Sequence, residues 1–279
     1  MKRVASIQDL SCIGKCSLGI ALPILSAMGA ECVALPTAVL SAHSCFSGFV
    51  SKDLSDTLLP IAQHWAAQGF AFDALYSGYL ASIEQIALVG ELFSRFKTAD
   101  NFLFVDPAMA DHGRLYTGFS DSFPQQMRTL CAKADFITPN ITEACLLTDT
   151  AYRETHDSAY VDTLLRRLLL LGAKTVIITG VMSEPGKMGV AFMDAGGRQA
   201  THFTDFVPAQ FHGTGDLFAS TCVGALLRGL SVSDAVSLAA NYVVKTIRVT
   251  AESSDARWYG VNFEQTIPYL LAQMKEYAI

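Results

Sequence analysis

The sequence predicts an α/β fold of three layers, αβα, with a mainly parallel sheet and helices on both faces. Three observations predict it. Short apolar runs alternate with helix-patterned segments along most of the 279 residues, the pattern of a parallel sheet with crossover helices. The N-terminal segment already reads strand, loop, helix, strand, which is one βαβ unit. No linker rich in Pro, Gly or Ser divides the chain and no internal repeat is visible, so residues 1–279 are expected to form a single domain.

Taken in order, residues 4–7 are a short apolar strand, and a small-residue loop follows at 9–17. Residues 19–28 have helical spacing and stop at Gly29, a favourable C-cap. Residues 32–35 are the next strand. The stretch 36–49, rich in Ser, Ala and Gly, reads as a loop over a site or a short strand. An amphipathic helix covers 57–68, and a strand at 74–77 runs into Gly78-Tyr79. Helix 82–96 opens on Ser82 as N-cap. The buried strand 102–105 ends in Asp106-Pro107. The connection 108–119 is long and has little pattern, as lids and binding loops often do. Within it, 110–118 is the lid candidate, with Gly113 and Gly118 as flexible points.

The second half continues the alternation. A helix at 123–132 precedes a strand at 136–138, and Pro139-Asn140 leads into a short helix, 142–147. Helix 159–171 ends at Gly172, and 175–179 is a strand of β-branched residues. Segments 188–193 and 199–204 flank Asp194-Ala195-Gly196-Gly197, a hairpin signal. Three helices close the chain: from Gly213 to about 228, from 233 to about 250, and 263–277.

Composition narrows the functional classes. Half of the residues are hydrophobic (51%), enough for a large core. The net charge of −6, without a basic cluster, argues against nucleic acid as a partner. No apolar run approaches the roughly 18 residues of a membrane span; the run at 164–171 is broken by Arg166 and Arg167. Residues 1–7 have too short an apolar part for a signal peptide. Seven cysteines, odd in number and scattered, suit reduced thiols in a cytoplasmic protein. Cys12 and Cys16 lack a second pair and are poor zinc evidence; most of the thiols are expected as small core residues.

In sheets of this kind ligands bind beyond the carboxyl ends of the strands. Asp9, Thr37, Tyr79, Asp106, Thr138, Glu143 and Thr179 all fall at or just past such an end. The stretch 211–220, Phe-His-Gly-Thr-Gly-Asp-Leu-Phe-Ala-Ser, reads as a loop running into a long buried helix. Gly213 and Gly215 let the backbone turn tightly and approach a ligand. The first N–H groups of the helix, at the positive end of its dipole, suit a phosphate. Asp216 would repel that phosphate unless its task is to take a proton from a hydroxyl that attacks phosphorus. A plain loop with an acidic helix start is the alternative that the motif alone leaves open.

Taken together, these residues resemble the ribokinase-like small-molecule kinases, and within them the pyridoxal (vitamin B6) kinases. The likeness rests on Asp106-Pro107, Thr138-Pro139-Asn140-Ile141-Thr142-Glu143 and Gly213-Thr214-Gly215-Asp216. It extends to the nucleotide-side loop 105–116, to Ser77-Gly78-Tyr79-Leu80-Ala81-Ser82 and to the Thr-bearing segment 35–43, in order from residue 4 to about 250. The chain departs from the family at Asp9, where Ser is usual, at Pro36, where Asn is usual, and at Gly14-Lys15, where Gly-Asn is usual.

The resemblance implies ATP-dependent phosphorylation of the hydroxymethyl group of pyridoxal, pyridoxamine or pyridoxine by a homodimer. Asp216 would be the base, and the N–H groups of Gly213, Thr214 and Gly215 an anion hole. Asp106 and Glu143 would hold Mg²⁺ against the triphosphate, directly or through water, or Glu143 would be an exposed helix acid. Asp111 would help bind a monovalent cation such as K⁺, as in some relatives. Thr138 and Thr179 would lie near the nucleotide, or be ordinary strand residues. Thr37 and His43 would face the vitamer ring, with His43 equally readable as a structural histidine. Tyr79 would cover the substrate or simply pack, and Asp9 would contact the ring nitrogen or a ring substituent, or cap its loop.

Two enzyme alternatives follow. Hydroxymethylpyrimidine kinases of thiamine synthesis usually carry a Gly-Ile-Gln-Ala-Asp-like stretch where this chain has Gly19-Ile20-Ala21-Leu22-Pro23. Sugar kinases usually carry an acidic pair near the N-terminus and an inserted lid sheet, for which the first loop leaves little room. A non-catalytic binding protein on the same fold is the rival from another class.

Overall fold

A computed structural model describes residues 1–277. In chain order the elements are β1 (Arg3–Ser11), α1 (Leu18–Ala27), β2 (Glu31–Leu40), β3 (Ser51–Asp53), α2 (Ser55–Ala67), β4 (Ala74–Ser77) and α3 (Ile83–Phe96). Then come β5 (Phe102–Val105), β6 (Ala110–Asp111), β7 (Arg114–Leu115), α4 (Phe123–Cys131), β8 (Phe136–Ile137), α5 (Ile141–Thr148) and α6 (Ser158–Leu169). The chain closes with β9 (Thr175–Val181), β10 (Lys187–Asp194), β11 (Gln199–Asp205), α7 (Thr214–Leu227), α8 (Val232–Glu252), a 3-10 turn (Phe263–Gln265) and α9 (Ile267–Glu276). The expected α/β class holds: a mostly parallel mixed sheet with helices on both faces.

The chain divides into two compact units, Met1–Leu54 with Thr204–Ile279, and Ser55–Phe203. In the first, β1 and β2 pair in parallel and β3 adds antiparallel to β2. Behind them α7 is buried along most of its length, so it runs through the interior rather than over the surface. Small residues let it come close to α1: a Cβ on Gly224 would overlap the Met28 sulfur. Ile20, Ile24, Leu217, Leu238, Tyr242 and Phe263 belong to one apolar cluster there.

In the second unit the strands lie in the order β11-β10-β9-β8-β5-β4. The β4–β5, β5–β8 and β8–β9 pairs are parallel, and β10 turns back antiparallel on β9. Ser82 caps α3 by accepting the Gln85 N–H, as expected. Asp135, at the head of β8, is tied by Lys97 Nζ (2.6 Å), Lys174 Nζ (2.7 Å) and the Leu103 N–H (2.8 Å).

Several boundaries differ from expectation, each for a physical reason. β1 does not stop at residue 7 but runs to Ser11, because its polar residues find partners: Gln8 Nε2 donates to Ser6 Oγ and Ser11 Oγ to Asp9. β2 continues through Pro36, and the β1–β2 register slips between Gln8 and Leu10, beside the residue that has no N–H to offer. Asp9, Thr37 and Thr179 therefore lie inside strands rather than past their ends. The final helix starts later than expected. A 3-10 turn precedes it, and Pro268 sits in the first turn of α9, where a missing N–H costs nothing.

Candidate active site

The turn into α7 is built by exclusion. Gly213 is the N-cap and sits at φ 82°, in the left-handed region. A Cβ there would overlap the Lys15 carbonyl oxygen, so space and conformation both demand glycine. Gly215 has nothing within 4 Å of a built Cβ, which leaves the helix mouth open on that side. No side chain caps the helix. Its leading N–H groups and dipole thus present an anion-binding surface.

Asp216 lies in the first turn of that helix. Burial of its carboxylate pushes its pKa up from 3.8 to about 7, opposed by the Ser17 N–H and reinforced by the charge of Asp9. Asp9 is 3% exposed. Its own pKa is raised by burial, against hydrogen bonds from Ser17 and Ser11. The Cys16 thiol, pushed up by burial, feels both carboxylates. Asp9, Ser11, Cys16, Ser17 and Asp216 therefore form one crowded acidic corner of the first unit. A carboxyl with a pKa near neutrality, beside an anion-binding helix mouth, is chemically suited to take a proton from an alcohol.

Two further predicted residues lie in this unit. Thr37 is fully buried in β2. His43 stands in the turn after β2, where its Nδ1 accepts the Cys45 N–H at 3.1 Å. Burial, and then the nearby His212, lower its pKa. His212 and Cys45 were not singled out from the sequence. They come from points 167 residues apart and no local pattern joins them.

The second unit holds the other predicted residues. Asp106 follows β5 and is 7% exposed; Glu143, in α5, is 2% exposed. Glu143 is far from an exposed helix acid. Its Oε2 accepts the Asn140 N–H (2.8 Å) and its Oε1 those of Met109 (2.9 Å) and Ala110 (3.4 Å). With Asn140 Oδ1 accepting the Glu143 N–H, this is a capping box. The Asn140-x-x-Glu143 spacing was a signal for it in the sequence. Burial raises the Glu143 pKa against these three donors, and the Asp111 charge adds to the rise. Both Glu143 and Asp106 act on the buried Cys131 thiol, so the two carboxylates lie in one neighbourhood.

Asp111 is exposed at the tip of the small β6–β7 hairpin, where its Oδ1 accepts the His112 N–H at 2.8 Å. The lid candidate is this hairpin. It is tied down by Asn140 Nδ2 to the Ala110 carbonyl (2.8 Å) and by the Gly113 N–H to Thr142 Oγ1 (2.9 Å). Thr138, just past β8, is buried and its hydroxyl has no hydrogen-bond partner among the described residues. Thr179, in β9, donates its N–H to the Pro139 carbonyl. The Tyr79 ring packs 5.6 Å from that of Phe119.

The residues at hand suit Mg²⁺. The donors at Asp106 and Glu143 are hard oxygens, and Glu143 keeps lone-pair capacity beyond the three N–H groups it accepts, so a divalent cation with its own waters fits. Such a cation would also favour the ionised form of Glu143 that burial opposes.

Comparison with known proteins shows the family. The model of the family described as phosphomethylpyrimidine kinase matches residues 24–259. A Bacteroides thetaiotaomicron protein described as a phosphomethylpyrimidine kinase has a similar structure, with a TM-score of 0.92 and 37% identity over 96% of this chain and 93% of that one. Another crystal form of that protein is described as being with pyridoxal. The pyridoxal kinase of Lactobacillus plantarum matches at a TM-score of 0.89 and 30% identity over 99% of both chains. The pyridoxine/pyridoxal/pyridoxamine kinase of Bordetella avium is 28% identical over 91% of this chain and 87% of its own length. The chain belongs to the phosphomethylpyrimidine kinase family, within the ribokinase-like group that contains the pyridoxal kinases.

Proposed function

We propose that the protein transfers the γ-phosphoryl group of ATP to the hydroxymethyl group of a B6 vitamer, giving the 5'-phosphate. The observation that carries this reading is Asp216: a carboxyl with its pKa raised to about 7, in the first turn of a helix whose leading N–H groups no side chain caps. Asp216 accepts the hydroxyl proton as the oxygen attacks phosphorus. The N–H groups of Gly213, Thr214 and Gly215 receive the charge that spreads over the phosphoryl oxygens. Thr37 and His43 face the ring, and Tyr79 borders the substrate. Asp9 holds the ring nitrogen in its protonated form, a role for which a buried carboxylate is well suited.

Asp106 and Glu143 would hold Mg²⁺, which when bound neutralises triphosphate charge. Glu143 also positions backbone, through its three N–H donors. Thr138 and Thr179 line the nucleotide, and the free hydroxyl of Thr138 is a donor kept for it. Asp111 stands by a monovalent cation. The same reading has residues 1–279 acting as one kinase domain in a cytoplasmic homodimer. All seven cysteines are free thiols, in keeping with a reducing compartment, and no helix among the described residues is long and apolar enough to cross a membrane.

The family description, and a bifunctional thiamine biosynthetic enzyme of Arabidopsis thaliana 27% identical over 80% of this chain and 42% of its own length, are what support a second, weaker reading with hydroxymethylpyrimidine as the substrate. One experiment separates them: coupled ATP turnover with each vitamer and with hydroxymethylpyrimidine, at equal concentrations. The proposal expects the highest kcat/KM for a vitamer. Turnover confined to hydroxymethylpyrimidine, or absent for every alcohol, overturns it.

A further inference from the structure

The Cys45 thiol and the His212 imidazole enter no step of the proposed reaction, yet with His43 they form a cluster. All three lie in the first unit. The ligand-capable atoms of His43, Cys45 and His212 are within 4.8 Å of one another. Cys45 Sγ is 3.4 Å from His212 Nε2 and 3.9 Å from its Nδ1. The two imidazole rings are 4.8 Å apart, centre to centre. Among the described residues this is the one group of three or more side chains gathered closely enough to hold a metal ion.

We infer that His43, Cys45 and His212 form a binding site for a thiophilic divalent ion of the Zn²⁺ type, with one position left open. Zinc bonds of about 2.3 Å to sulfur and about 2.0–2.1 Å to nitrogen put neighbouring ligand atoms about 3.3–3.6 Å apart in a tetrahedron. The Cys45–His212 edge already has that length. The widest separation, 4.8 Å, has to close by a little over ~1 Å. Side chains at least partly open to solvent can supply that by rotation, and Cys45 and His212 are exposed. A thiolate with two imidazoles selects Zn²⁺ or Co²⁺ and disfavours Mg²⁺, which prefers oxygen. The three protein ligands leave the fourth position for water or for an oxygen of a bound ligand.

The backbone around the cluster suits the role. His43 starts a tight turn: its N–H donates to the Ile13 carbonyl and its carbonyl accepts the Phe46 N–H. The lone pair of its Nδ1 accepts the Cys45 N–H, a bond that coordination exchanges for one to metal. His212 immediately precedes Gly213, the N-cap of α7. A bound ion ties the turn after β2 to the mouth of that helix and restrains the backbone that carries Asp216. The site rests on this unit's geometry; it shares His43 with the proposed vitamer contacts, and a metal titration reads it without any turnover.

The test is a titration of the full chain with Co²⁺, reduced and without nucleotide. A thiolate-to-cobalt absorption band is expected, saturating at one equivalent. One equivalent of Zn²⁺ removes it and a large excess of Mg²⁺ does not. Cys45→Ser and His212→Asn abolish the band; Cys12→Ser, at an exposed thiol outside the cluster, keeps it. Near-ultraviolet circular dichroism checks that each variant is folded, and both altered side chains are exposed. Absence of the band in the wild type, its survival in Cys45→Ser, or its removal by Mg²⁺ overturns the site.

Discussion

Asp216→Asn should make the ligand-free protein more stable, and more so as pH rises. Asn keeps the shape and can still accept the Ser17 N–H, but it carries no charge. Asp216 titrates at about 7 when folded, against an ordinary value of 3.8. At 1.36 kcal/mol per unit, holding it ionised in the folded chain costs up to about 4 kcal/mol, an upper bound because the residue keeps partial solvent contact. The sign follows from proton binding. Between these two values the folded chain binds more protons than the unfolded one, so stability falls as pH rises through that window. The penalty is about 1.7 kcal/mol at pH 5 and about 4 kcal/mol at pH 8. Urea unfolding of both proteins at the two pH values reads the difference. The gap between Asn and Asp should widen by about 2.5 kcal/mol towards pH 8. A gap that stays constant with pH would refute the raised pKa, and with it the claim that this carboxyl is tuned to accept a proton near neutrality.

Three further outcomes are expected. Gly213→Ala should lose about 3 kcal/mol or more in urea unfolding, since the new Cβ overlaps the Lys15 carbonyl at a φ of 82°; a loss below about 1 kcal/mol would show that the turn can relax. Asp9→Asn removes a charge that helps hold the Asp216 pKa up, so the rising limb of kcat/KM should move to lower pH while KM for the vitamer rises; an unmoved limb with an unchanged KM for every vitamer would remove Asp9 from the site. Asp135→Asn should cost about 2–3 kcal/mol from pH 5 to 8, because two lysines and the Leu103 N–H lose an anionic acceptor. Burial would raise that carboxyl, but Lys174, Lys97 and the Leu103 N–H outweigh it and hold it below the usual range. Its stabilisation is therefore full above about pH 4 and fades as pH falls through the lowered value; a deficit independent of pH down to about 2 would contradict this.

The elements that could be read from the sequence were those whose burial is local. Helices such as α3 and α6 carry their caps and apolar faces within one stretch, and β4 and β5 are short apolar runs. What could not be read depends on partners distant in sequence. β1 extends past Gln8 and Asp9 because buried polar groups are satisfied there, and polarity alone looked like a loop. β3 is three exposed residues with no alternation, visible only once it pairs with β2.

The site was legible in the same uneven way. Asp216 and its glycines form one contiguous motif, and their crowding with Asp9 then follows from the fold. Glu143 was read as an acid facing a metal or solvent, and its tie to residues 109 and 110 needed the hairpin in place. His212 lies within the 211–220 motif, but nothing local joins it to His43 and Cys45, which lie near the other end of the chain.

The account depends on Asp216 acting as the base that draws a phosphoryl group onto an alcohol. The direct measurement is single-turnover transfer from radiolabelled ATP to pyridoxal, with wild type and Asp216→Ala compared at about pH 8 and nucleotide affinity measured in parallel. The account predicts a transfer rate lower by about 10²–10⁴-fold in the variant, the usual range for a lost general base, with ATP affinity held within a few-fold. Transfer by the variant at the wild-type rate would contradict it.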